Sequence, residues 1–125
     1  MLPTDYLKLV GCPYAFPSAP PKTFDCWSLV KYVRECEGLP CPLPFDDKED
    51  WCVPGNLMQA TARARACWTR LPKPEPFVMA VLEPSHVGIV IGGGVLHALS
   101  RNASVVWTTL AAIRRRWPQA EWWTA

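Results

Sequence analysis

The sequence predicts an α+β domain, on three observations. A helix-period apolar stripe occupies residues 24–37, and a second helical pattern fits residues 56–70. Four strand-like runs, FVMAVLE, HVGIVIG, GVLHAL and SVVWTTL, then follow one another through the second half. Helices first and consecutive antiparallel strands after predict helices packed on one face of a sheet. At 125 residues the whole chain, 1–125, reads as a single domain.

Each element has a local justification. The first helix is expected from about Phe24 to about Glu37, with Thr23 as N-cap and Asp25 complementing the positive helix end. Gly38 followed by Pro40 stops it. Cys26, Leu29, Val30 and Val33 recur on one buried stripe, while Ser28, Lys31, Arg34 and Glu35 are expected to face outward. In the second helix Leu57, Thr61, Ala64, Trp68 and Leu71 form one face. Eleven of the fourteen prolines gather at 13–21, 40–44 and 72–84, with the two helical stretches between these clusters. Gly92-Gly93-Gly94 supplies a tight hairpin turn. The ending EWWTA reads as either a last strand or an exposed docking patch.

Composition narrows the function classes. Charged residues are only 19% and the net charge is +2, so a disordered chain is not expected. Arg114, Arg115 and Arg116 would suit an anionic polymer, but a solvated element near the C-terminus is the stronger reading. No nucleic-acid-binding motif accompanies them, and no nucleic-acid partner is expected. MLPTDYLKLVGCPYAF lacks the basic leader and apolar run of a signal peptide, and no membrane insertion is expected. Cytoplasmic synthesis is therefore predicted. The six cysteines form no C-x-x-C pair and are expected to be thiols; no metal and no cofactor are expected.

A cysteine nucleophile needs thiolate character, a base and something to orient that base. Cys26 falls in the first turn of its helix, where the macrodipole favours negative sulfur and N–H groups can receive an oxyanion. The chain has two histidines, both in the strand region. If Gly92 and Gly93 form a two-residue turn, Ile91 faces Gly94, Gly88 faces His97, and His86 faces Leu99. His86 and His97 then share one sheet face as diagonal neighbours, roughly 7–8 Å apart at the backbone. Gly88 removes the side chain that would stand between them. The same residues are equally accounted for by a small buried core thiol and two histidines capping a sheet edge.

GCPY, FDCWSLV, HVGIVIG and LHA occur in that order, and together resemble the NlpC-type cell-wall peptidases, NlpC and its p-sixty relatives, which are papain-like in fold. The resemblance spans about Gly11 to about Thr109. It implies a helix carrying the cysteine, packed on a central antiparallel sheet carrying two histidines. By this resemblance Cys26 matches the nucleophile, His86 the general base, and His97 the polar residue that orients it. Tyr14 matches the tyrosine whose hydroxyl helps bind the oxyanion, and Asp25 an acidic residue of mostly structural role. Trp27, Asp25 and Ser85 are the candidate substrate-binding residues beside the implied groove, with plain packing equally open for Trp27. Trp27, where many members carry serine, is similar to the branch found in bacteriophage tail tips; AFPSAPP stands where members commonly carry a Gly-Gly pair.

The implied activity is hydrolysis of peptidoglycan stem peptides, typically at a bond between D-glutamate and a diamino acid, without a cofactor. Implied partners are those peptides and other tail-tip proteins, in a virion tail or after delivery to the periplasm and cell wall. Three alternatives stay open: a structural tail-tip protein without turnover, a secreted antibacterial effector with the same chemistry, and an acyl- or amide-hydrolase acting on lipids or small amides.

Overall fold

Runs of β-branched residues in the second half build one antiparallel sheet, and the structure, a computed structural model, describes residues 3–42, 67–83, 86–100 and 103–125 of the chain. Its strands are β1 (Thr69–Leu71), β2 (Met79–Glu83), β3 (His86–Ile91), β4 (Gly94–Leu99), β5 (Ser104–Thr109) and β6 (Glu121–Thr124). They lie in the order β1-β6-β2-β3-β4-β5. Among the described residues the helices are α1 (Pro3–Tyr6), with a 3-10 turn at Leu7–Leu9, α2 (Cys26–Cys36) and α3 (Leu110–Arg116). The domain is therefore α+β. EWWTA forms a strand, inserted between β1 and β2.

The hairpin register is as expected, with Ile91 opposite Gly94, Val90 opposite Val95 and Ile89 opposite Leu96. Gly92 turns the chain at φ 60°, a conformation that favours glycine. Alternation then sorts the side chains into two layers. Val87, Ile89, Ile91, Leu96 and Ala98 face the α2 layer, where Cys26, Leu29, Val30 and Val33 pack against them. Val90, Val95 and Ala80 face the other way, against Ile113 of α3 and Trp117. The expectation that the helices share one face is thus corrected. Both faces of β2–β4 are apolar, and each needs its own cover.

Three local expectations change. The N-cap of α2 is Asp25 rather than Thr23: its carboxylate accepts from Ser28 N at 2.8 Å, and Ser28 Oγ accepts from Asp25 N at 2.9 Å. This reciprocal capping box satisfies donors at both positions. Thr23 instead accepts from Ala19 N and closes the AFPSAPP loop. The expected helix at 56–70 does not extend to its end, because Thr69–Leu71 are strand β1 and Trp68 is buried just before it; residues 56–66 lie outside the described residues. The fourth strand-like run stops at Thr109, which caps α3 through Ala112 N.

The largest departure is Arg34, expected outside and found 1% exposed. Its guanidinium donates to the carbonyls of Pro40 (2.8 Å), Phe77 (2.6 Å) and Ala125 (3.0 Å), and lies over the Trp68 ring at 5.0 Å. The helix-period rule misplaces Arg34 because it sits in the last turn, where chain from three other segments closes over the helix end. Arg34→Met should destabilise the domain by about 3 kcal/mol or more, since it leaves three carbonyls without their donor. Asp25→Ala should cost about 1 kcal/mol through the lost cap. Urea unfolding of the two variants checks the order; equal small losses would contradict the anchoring role of Arg34.

Candidate functional site

The two histidines meet. His86 Nε2 and His97 Nδ1 are 2.9 Å apart, with ring centroids separated by 5.1 Å. Diagonal placement across β3 and β4 brings them together, and Gly88 makes room. A Cβ at Gly88 would lie 2.9 Å from His97 Cβ and 2.7 Å from Val95 Cγ1, closer than side chains tolerate.

The pair continues into β5. His97 Nε2 lies 2.9 Å from Thr108 Oγ1, so both ring nitrogens of His97 are engaged. Trp117, following α3, packs on the two imidazoles at 5.9 and 5.7 Å between centroids. Its indole N–H donates to Glu83 Oε1 at 2.8 Å, and Arg116 lies over its ring at 5.0 Å. Neither Thr108 nor Trp117 belongs to the site expected from sequence.

His97 is fully buried. Burial, then the neighbouring His86 and Arg116, push its pKa down to about 3 from an ordinary 6.5. It is therefore neutral at any working pH, donating through one nitrogen and accepting through the other. Two proton orders satisfy the chain. In one, His86 Nε2–H donates to His97 Nδ1 and His97 Nε2–H donates to Thr108 Oγ1. The other reverses both bonds. Only the first leaves His86 Nδ1 as an acceptor, and His86 can then gain a proton there without any other proton moving.

Cys26 opens α2 at its first helical position, where the positive end of the helix dipole favours negative charge. Pro13 bridges Ser104, the first residue of β5, and Tyr14 bridges Phe24, two residues ahead of Cys26. The start of α2, Tyr14 and the start of β3 at His86 thus gather at one end of the sheet. They are not in one layer there. Cys26, 6% exposed, packs in the α2 layer with Val87 and Ala98, whereas His86 and His97 stand against Trp117 in the α3 layer.

The residues expected beside the groove divide. Asp25 is buried and engaged as the α2 cap, a structural role. Trp27 is buried in the core, edge-on to Trp68 at 6.3 Å, rather than lining a surface subsite. Tyr14 is half-buried, its backbone N–H held by Ala103 O at 2.8 Å. Ser85 lies outside the described residues. Cys12, Cys26, Cys36, Cys41 and Cys67 are thiols. Among the described residues no three His, Cys, Asp or Glu side chains gather as a metal site, and no helix is long and apolar enough to cross a membrane.

Compared with protein-family models, with curated proteins and with solved structures, the chain matches none.

The depressed pKa of His97 links folding to pH. Above about pH 6.5 neither state carries its proton; between that value and about 3 only the unfolded chain takes it up, so stability is lost as pH falls. Between pH 7 and pH 5 the loss is about 2 kcal/mol. Urea unfolding at both pH values should show His97→Gln losing less stability over this interval than the wild type by about that amount. Parallel losses in the two proteins would show that His97 is not held neutral by the fold.

Proposed function

We propose that the chain is a papain-like cysteine peptidase of NlpC type, hydrolysing peptide bonds in bacterial peptidoglycan as a phage or prophage tail component. The observation that carries this reading is the His86–His97 bond of 2.9 Å, made at the end of the sheet where Cys26 opens its helix. The order of the GCPY, FDCWSLV, HVGIVIG and LHA motifs supports it independently.

In this mechanism His86 Nδ1 takes the proton of the Cys26 thiol, and Sγ attacks the scissile carbonyl carbon. The tetrahedral oxyanion is received by N–H groups at the start of α2 and by the Tyr14 hydroxyl. Its collapse breaks the C–N bond, and His86 returns the proton to the leaving amine. Water, deprotonated by His86, then cleaves the thioester and restores the thiol. His97 stays neutral throughout, so the mobile proton resides on His86. Attack requires Cys26 Sγ and His86 Nδ1 to meet at the margin of the sheet, where β3 begins.

One observation favours a second reading, a tail-tip assembly protein without turnover. Cys26 is buried in the α2 layer while the histidines pack on Trp117 in the other. Digestion of purified peptidoglycan separates the two. The peptidase reading expects soluble peptide fragments from the wild type, none above background from Cys26→Ala, and about 10³-fold slower release from His86→Ala. Folded wild type and Cys26→Ala that both release nothing would leave the assembly reading standing.

A further inference from the structure

We propose that Thr108 is a positioning residue that accepts the His97 Nε2–H hydrogen, and that this one of the two proton orders its hydroxyl permits holds His86 as an Nε2–H tautomer with Nδ1 open to a thiol. The inference deepens the peptidase reading and rests on it for its catalytic meaning, but the proton order itself is a property of the folded chain.

The geometry leaves few choices. His97 is enclosed by β3, β5 and Trp117, and its two nitrogens have one partner each at 2.9 Å, His86 on one side and Thr108 on the other. A neutral imidazole carries one N–H, so whichever nitrogen holds it dictates the direction of both bonds. If Thr108 Oγ1 accepts from His97 Nε2–H, then His97 Nδ1 must accept from His86 Nε2–H. His86 Nδ1 is then a lone-pair acceptor. If the order reverses, neutral His86 carries its hydrogen on Nδ1 and has nothing with which to take a proton from a thiol.

Thr108 reaches His97 because β5 pairs with β4 so that Val106 faces His97 and Thr108 faces Val95. Thr108 and His97 are thus diagonal neighbours, as His86 and His97 are across β3 and β4. The hydroxyl can donate or accept; in the proposed order its oxygen supplies the acceptor that a buried N–H requires. Valine at 108 has the same shape without that acceptor, and the hydrogen of His97 is then satisfied only on Nδ1, toward His86. Serine keeps the oxygen.

Nitrogen NMR of the imidazoles in the full chain tests this without substrate. The wild type should show Nε2–H tautomers for both His86 and His97, Thr108→Val should move His97 to Nδ1–H, and Thr108→Ser should restore the wild-type pattern. A wild type with His97 as Nδ1–H, or tautomers unchanged in folded Thr108→Val, overturns the proposal. Should Thr108→Val not fold, the wild-type and Thr108→Ser spectra decide it: Nε2–H on His97 in both supports it, and Nδ1–H on His97 in either overturns it. Peptidoglycan digestion supplies the second arm, with release slowed about 10²-fold in Thr108→Val and recovered in Thr108→Ser. Expected tautomers with no digestion by the wild type would overturn the peptidase reading and leave the proton order intact.

Discussion

The buried guanidinium of Arg34 fixes how the helix layer lies on the sheet. It stands in the last turn of α2, where positive charge is favoured by the helix dipole. From there it reaches carbonyls of three separate segments, one after α2, one leading into β2 and one at the end of β6. Desolvation lowers its pKa, yet the three acceptors and the Trp68 face satisfy the charge. Beside it the Cys41 thiol is pushed up to about 12 by burial, so it stays neutral and adds no second charge. The C-terminal end of α2 is therefore tied to the end of the sheet where β2 starts and β6 finishes. Because α2 lies along the sheet against β3 and β4, its N-terminus is carried to the opposite end, and Cys26 arrives where β3 opens.

At that opposite end the site depends on exclusion of water rather than on charge. Among the described residues His97 has no carboxylate partner; an imidazole, a hydroxyl and an indole ring surround it. Burial holds it neutral, and a neutral His97 can do for His86 what a charged one cannot, which is to accept. Trp117 closes the layer and is itself held by Glu83, so the roof over the imidazoles is tied back to β2. Gly88 is the necessary counterpart, since any side chain there would occupy the place of His97.

The sequence made much of this arrangement legible where the signal was local. The Gly92-Gly93 turn dictates the β3–β4 register, and from that register alone His86 and His97 become neighbours. The apolar stripe of Cys26, Leu29, Val30 and Val33 is buried as its spacing requires. What escaped depends on contacts made at a distance. Arg34 follows the polar face by period, but chain from residues 40, 77 and 125 covers it. Thr108 escaped because β4 and β5 are joined by a longer connection, so no two-residue turn fixes their register. Trp117 escaped because nothing in RRRWPQA shows which sheet face the helix before it will cover. Thr23 and Asp25 are both capable caps, and the choice between them falls to Ser28, whose hydroxyl completes a reciprocal pair only with Asp25.

The capping box also bears on how the candidate chemistry divides among residues. With its carboxylate directed to Ser28 N, Asp25 holds the start of α2 in place, and in the proposed peptidase the acid–base role falls to the histidines. The cysteine that follows it inherits a fixed position at the positive end of the helix, next to the strand segment that Tyr14 contributes. Cys26 and the imidazoles are thereby brought to one end of the sheet by independent means, the helix by Arg34 and its cap, the histidines by the hairpin. They approach that end from opposite layers. The first residue of β3 lies at that end, and His86 occupies it. In the proposed peptidase a base at that position would serve the nucleophile in one layer while drawing its orientation from His97 and Thr108 in the other. That makes His86, rather than Cys26 or His97, the residue on which the coupling of the two halves turns.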